Sequence, residues 1–259
     1  MLADLVTAIQ QDWQTLAVSS AATFIAAIVR GFSGFGFSLL SVTALSLVLD
    51  LPVLQVVPTI FLLEIAASLN LIPGIWREID WKSLRWLMLG YVIGLPIGTY
   101  ALINAPADPT QIVLGLFVIA TSIMMLRGFR LQRTPGSAAC TGTGVASGLL
   151  NGAFGIGGPP VVLFYFSTPA AANIGRASII FFFLFTDLLG ILYFATQDIV
   201  TQQSFVQFIL WMPALLVGLW AGAHGFRRMN QEAFRRWVLV ILIALAVLGI
   251  AKAAWSLAQ

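Results

Sequence analysis

Long apolar runs separated by short polar breaks dominate this chain. A helix needs about 20 apolar residues to cross the hydrocarbon layer of a bilayer. Runs of that order occupy about 52–73, 83–103, 109–126, 174–196, 204–224 and 237–257. Four shorter apolar pieces, at about 15–29, 35–50, 138–150 and 156–169, come in two pairs, and glycines split each pair. The opening segment MLADLVTAIQQDWQTLA has no basic n-region and no small-residue cleavage site, so it does not read as a removable signal peptide. Residues 1–14 are expected to form a short interfacial helix ending near Trp13.

The two pairs of short pieces belong to an internal repeat. Gly31, Gly34 and Gly36 each have a counterpart 121 positions later, in Gly152, Gly155 and Gly157. Gly94 and Gly98 match Gly218 and Gly222 at an offset of 124, and an acid inside a long span of each half, Glu64 and Asp187, matches at 123. So small a drift over so many landmarks indicates a duplication, with repeat 1 at 15–133 and repeat 2 at 134–259. Each half has two short and three long segments, so it crosses the membrane an odd number of times. The halves are therefore expected to be inverted. The predicted fold is an all-α polytopic membrane protein. Its two inverted five-segment repeats each carry a broken or re-entrant helical hairpin and three long transmembrane helices.

Composition and charge sharpen this picture. Hydrophobic residues make up 59% of the 259 and charged residues only 9%, with a mean hydropathy of +0.97. A soluble domain carries about 25% charged residues, so this surface is expected to face lipid. A net charge of +3 and a pI near 9.4 would by themselves point to a nucleic-acid partner. Most of the 13 Lys and Arg lie instead in short loops, Arg30 and Lys252 apart. Arg77, Lys82 and Arg85 lie in 74–85, Arg127, Arg130 and Arg133 in 127–136, and Arg227, Arg228, Arg235 and Arg236 in 225–236; Arg176 starts a span. The loops near 104–108 and 197–203 hold Asp108 and Asp198 and no basic residue. The positive-inside rule then puts the basic loops in the cytoplasm and both termini on the outer side. Trp76, Trp81, Trp86, Trp211 and Trp237 are expected near span ends, at the headgroup layer. A single cysteine, Cys140, excludes an internal disulfide and argues against a thiol-ligated metal. No metal or other cofactor is expected.

The candidate chemistry lies in the two glycine-rich breaks, RGFSGFGFS (Arg30–Ser38) and NGAFGIGGPP (Asn151–Pro160). Paired, glycine-interrupted segments in corresponding places of two halves mark the midplane binding site of many secondary transporters. A helix restarting after such a break points free N–H groups and a partial positive charge into the gap. Gly34, Gly36, Gly155, Gly157 and Gly158 let that backbone approach a ligand closely, and Pro159 suits a first helical turn. Ser33, Ser38 and Asn151 add donors, and the guanidinium fork of Arg30 suits a tetrahedral oxyanion. Against this stand helix packing by the glycines and a structural ion pair between Arg30 and Glu64. Glu64 and Asp187 are candidates to carry a coupling proton, the alternative being structural pairing. Arg176 reads either as an escort for anions or as a positive-inside anchor. His224, Asn70 and Asn173 read as helix contacts, and the run Phe181–Phe185 as lipid-facing or packing surface.

The breaks GFSGFGFSLL and NGAFGIGGPPVVL, early in each of two similar halves, resemble the TauE/SafE family of sulfite exporters, also called the transmembrane anion or TSUP family. The resemblance covers about residues 15–255 and rests on duplication and spacing more than on either motif alone. It implies movement of sulfite or a small organosulfur anion across the inner (cytoplasmic) membrane of a bacterium. The first break lacks the double glycine of Gly157-Gly158, which leaves Phe37 lining the site on one side. The expectation is thus a secondary transporter for a small sulfur-containing anion, an exporter by alternating access, with proton coupling open. Its partners are the anion and the lipid bilayer, with no nucleic acid; the sequence is silent on oligomeric state. A passive anion channel, an importer of a related organic anion, a cation carrier and a scaffold are the competing readings. An enzyme is disfavoured by the lack of H-E-x-x-H and G-x-S-x-G patterns.

Overall fold

Apolar helices account for nearly all of the backbone in the computed structural model, which describes residues 13–72, 75–104, 107–127, 135–167, 172–225 and scattered positions between 240 and 251. In chain order the helices are α1 (Trp13–Ser33), α2 (Phe37–Val48), α3 (Val53–Leu71), α4 (Trp81–Asn104) and α5 (Ala107–Leu126). They continue with α6 (Ser137–Phe154), α7 (Gly158–Ser167), α8 (Ala172–Thr196) and α9 (Gln202–Gly225). No strand occurs among the described residues. Among the described residues, five helices are long and apolar enough to cross a membrane. The chain is an all-α polytopic membrane protein.

Exposure along the helices is the reverse of a soluble domain. Leu89, Val92, Ile93, Ile97 and Tyr100 on α4, and Leu216, Val217 and Trp220 on α9, face outward. Arg30, Glu64, Asp187 and a set of hydroxyl side chains are buried. A contiguous apolar exterior is unstable in water and natural in lipid.

Most predicted spans fall within two residues of an observed helix. The expected helix at 1–14 lies outside the described residues up to Trp13, which already belongs to α1. The span at 237–257 is described only at isolated positions, which are helical; Ile250 there packs against Gly115 of α5. Two expectations need correction. The first piece of the first pair is not short: α1 runs 21 residues, through Arg30 and Gly31 to Ser33, because one interior glycine costs a helix only about 1 kcal/mol and Gly31 packs against the α9 backbone at Leu219. Trp211 is buried mid-helix rather than at the headgroup layer. Of the two readings of the phenylalanine run, the packing one holds for its first three residues: Phe182 and Phe183 are buried, and Phe181 packs edge-on against Trp76 and Trp81.

Two tight helix pairs tie the halves together. Gly90, Gly94 and Gly98 of α4 face Gly144, Gly148 and Gly152 of α6, so the two backbones touch along more than two turns. An added Cβ at Gly148 would sit 2.8 Å from the amide nitrogen of Leu95. Gly218 and Gly222 of α9 pack in the same way on Phe24 and Ile28 of α1. Close approach by small residues is the usual way membrane helices gain packing energy where lipid competes for apolar contact. Thus the glycines matched across the repeat do one job twice. Each clamps the fourth helix of its own half onto the first helix of the other.

Candidate functional site

The first break follows from its glycines. Gly34 and Gly36 adopt φ 80 and φ 93, a left-handed backbone that only glycine takes readily. Gly34 N–H still reaches back to Arg30 O at 2.7 Å, closing the last turn of α1. The Ser33 hydroxyl lies 2.8 Å from Val29 O and 2.7 Å from Phe35 O, and accepts the Phe35 N–H at 3.3 Å. Ser33 therefore shapes the turn. Gly36 carries the chain into α2, with Val29 the neighbour an added Cβ would meet, at 3.4 Å. Phe37 is wholly buried in the apolar core.

Directly below the break, Arg30 has no solvent exposure. Its Nη2 lies 3.0 Å from Glu64 Oε2 and donates to Ser68 Oγ at 2.8 Å. The other oxygen, Glu64 Oε1, accepts the Ser38 N–H at 3.2 Å. That amide belongs to the first turn of α2, where backbone N–H groups have no partner within the helix. A carboxylate from α3 thus occupies the restarted helix end and the guanidinium together. The fork is only partly used: Arg30 Nε and Nη1 are buried without a hydrogen-bond partner. The guanidinium carbon also sits 4.8 Å from the centre of the Phe183 ring.

The second break is held by amides rather than charge. Gly155, at φ 67, ends α6 and donates to Asn151 O at 2.8 Å. Asn151 Oδ1 accepts the Gly157 N–H at 3.0 Å, and Ser147 Oγ donates to Gly157 O at 2.6 Å. Asn151 Nδ2 donates to Tyr91 Oη at 2.7 Å, and that hydroxyl donates to Thr186 O at 2.8 Å. Asn151 is spent on its own turn and on α4. Gly155 lies against Val57, and Gly158 lies against Phe183, whose ring edge would be 3.1 Å from an added Cβ. Pro159, buried in the first turn of α7, has no N–H to offer.

Helix α8 joins the two breaks. Arg176 and Ile180 lie across Gly34, and Phe183 touches Arg30 on one side and Gly158 on the other. Asp187 follows one turn later, 4% exposed, with its Oδ2 lacking a hydrogen-bond partner. It lies close enough to Glu64 and Arg30 to feel both charges. Phe183 thus touches both Arg30 and Gly158, and Arg30 and the Ser38 amide meet in the Glu64 carboxylate. Ser33, Asn151, Gly155 and Gly157 stand just behind as the frame of the two turns. His224 bonds to Trp220 O in its own helix at 2.8 Å, and Asn70 and Asn173 are exposed, all three away from this group.

Several participants were not apparent from sequence. Ser68 was findable, one turn after Glu64 on the same helix face. Tyr91, Ser147 and Phe183 carried no local signal, because their partners are 60, 10 and 153 positions away in the chain. No group of His, Cys, Asp or Glu arranged to hold a metal occurs among the described residues.

The family described as sulfite exporter TauE/SafE matches residues 19–248. The chain belongs to that family. It is also 24% identical over 217 residues to a probable sulfite/organosulfonate exporter TauE of Cupriavidus necator, covering 82% of this chain and 85% of that protein. No solved structure matches.

Proposed function

We propose that this member of the TauE/SafE family is a secondary carrier that exports sulfite or a small organosulfonate across the cytoplasmic membrane. In this reading the basic loops face the cytoplasm and the two halves are inverted. The carrying observation is Arg30: a guanidinium with no exposure, two unpartnered nitrogens, and a restarted helix end beside it. An ionised group this deep in an apolar bundle is costly and marks a substrate or ion pathway. Arg176, lying over Gly34, adds a second cation within reach of the same turn. Two guanidinium groups at one glycine turn suit an oxyanion and repel a cation. Glu64 sits about 16 Å along α3 and about 10 Å from its end, which supports a site near mid-depth.

Alternating access suits this closed arrangement better than a permanent pore, because Arg30 is sealed from both sides. The moving bodies would not be the two sequence halves. Backbone contact between α4 and α6, and between α1 and α9, couples helices of opposite halves, and such pairs resist sliding. The α1–α9 and α4–α6 pairs are better taken as rigid units, with the breaks between them as hinges. Glu64 and Asp187 are the candidate proton carriers.

Two measurements test this reading. Purified protein is screened by thermal shift against sulfite, sulfate, thiosulfate, taurine, sulfoacetate and simple carboxylates. Proteoliposomes are then assayed for saturable counterflow of whichever anion stabilises. Stabilisation by sulfite or a sulfonate that Arg30→Ala abolishes is the expected result. Flux that never saturates would replace the carrier with a channel, and indifference to every anion would end the transport reading.

A further inference from the structure

We propose that Glu64 is a tethered stand-in for the transported anion, holding Arg30 and the Ser38 amide until substrate displaces it. This rests on the export reading above and assigns the site a built-in competitor.

The geometry is that of a ligand more than of a structural tie. One carboxylate meets both groups that a small oxyanion would use here, the amide by a hydrogen bond and the guanidinium by charge contact alone, since Oε2 has no hydrogen-bond partner. Its Oε2 faces the guanidinium at 3.0 Å, and its Oε1 takes the amide of the restarted helix at 3.2 Å. A carboxylate optimised for stability would take two parallel N–H groups of the fork. Glu64 faces only Nη2, while Nε and Nη1, both buried, have no hydrogen-bond partner. Those nitrogens remain for an anion with three oxygens. Ser68 holds Nη2 from the same helix as Glu64, so the fork stays oriented when the carboxylate leaves.

The repeat supplies an independent comparison. Arg30 and Ser38 correspond to Asn151 and Pro159 at the offset of 121, and Glu64 corresponds to Asp187. The second break folds with an asparagine bridging its own turn and a proline that offers no amide. Neither a cation nor a carboxylate is needed to form this kind of turn. The ion pair of the first break therefore serves something other than the fold. An incoming oxyanion of the same charge replaces the contacts of Arg30, and the displaced Glu64 then takes up a proton or swings to water, since an unpaired buried carboxylate is strongly destabilising.

Competition from a tethered group lowers apparent affinity by the fraction of time that the site is free. The test compares wild type, Glu64→Gln and Glu64→Asp in detergent, titrated with methanesulfonate, a sulfonate ionised throughout the usable pH range, and with sulfite. Expected is a dissociation constant at least about tenfold lower in Glu64→Gln. A smaller gain is expected in Glu64→Asp, whose shorter side chain cannot span both donors. Should Glu64→Gln fail to fold, Glu64→Asp decides the matter. Wild-type binding with no tighter binding in either folded variant overturns the stand-in and leaves the export reading intact. Binding by no form of the protein overturns both.

Discussion

The two glycine breaks share a sequence pattern and differ in their chemistry. Around the first, Arg30, Glu64, Ser68 and the Ser38 amide form a charged cluster with spare donors. Around the second, Asn151, Ser147 and Tyr91 satisfy the turn with neutral groups. Asp187, the counterpart of Glu64, is left with an unpartnered carboxylate oxygen. The backbone geometry is alike, since a left-handed glycine follows the first helix at each break. The charges are not. In the proposed site a pair of like guanidinium groups facing one another would repel, whereas one cationic and one neutral turn could close on a single anion.

Substitutions can break or sharpen that contrast, and their effects should fall in a definite order. Arg30→Ala should cost most, about 3–5 kcal/mol, because it strands the Glu64 carboxylate in a buried position; thermal unfolding in detergent reads this, and anion binding should vanish with it. If Arg30→Ala is as stable as wild type, the cluster is not the tightly coupled unit described here. Gly148→Val should follow, at about 3 kcal/mol or somewhat less, since the α4 backbone is in contact there and cannot yield. The expected sign is a lower unfolding temperature with anion affinity little changed in the folded fraction. Tyr91→Phe should cost about 1–2 kcal/mol, as it removes the hydroxyl between Asn151 and Thr186 while keeping the ring. Faster amide hydrogen exchange confined to 151–158 would report the loosened second turn. Asp187→Asn should have the smallest effect on stability, about 0–1 kcal/mol of either sign, because no hydrogen bond to Oδ2 is lost. A destabilisation as large as that of Arg30→Ala would show that the two breaks are equally charge-dependent after all.

Much of this protein was legible without coordinates. Span positions follow from runs long enough to cross hydrocarbon, which no soluble fold explains as well. The matched offsets pointed to a duplication, and the cost of burying a charge in an apolar segment singled out Arg30, which is fully buried. The possible pairing of Arg30 with Glu64 could be named, although nothing in the spacing chose between it and a ligand role. The cross-half clamps could not be read in advance: Gly94 and Gly98 show a small-residue face and not what that face meets. Trp211 misled for the same reason, and the phenylalanine run had to be left between two readings, since hydrophobicity is identical for a side chain facing lipid and one facing another helix.

The sequence by itself determined which segments are membrane helices, where their backbone breaks, and which few charges lie inside. These follow from local composition and from glycine's freedom at positive φ. Tertiary structure alone decided that α8 lays Arg176, Phe183 and Asp187 across both breaks, and that Glu64 reaches the Ser38 amide. Those contacts join residues from separate helices, and which faces meet depends on packing that no local pattern encodes.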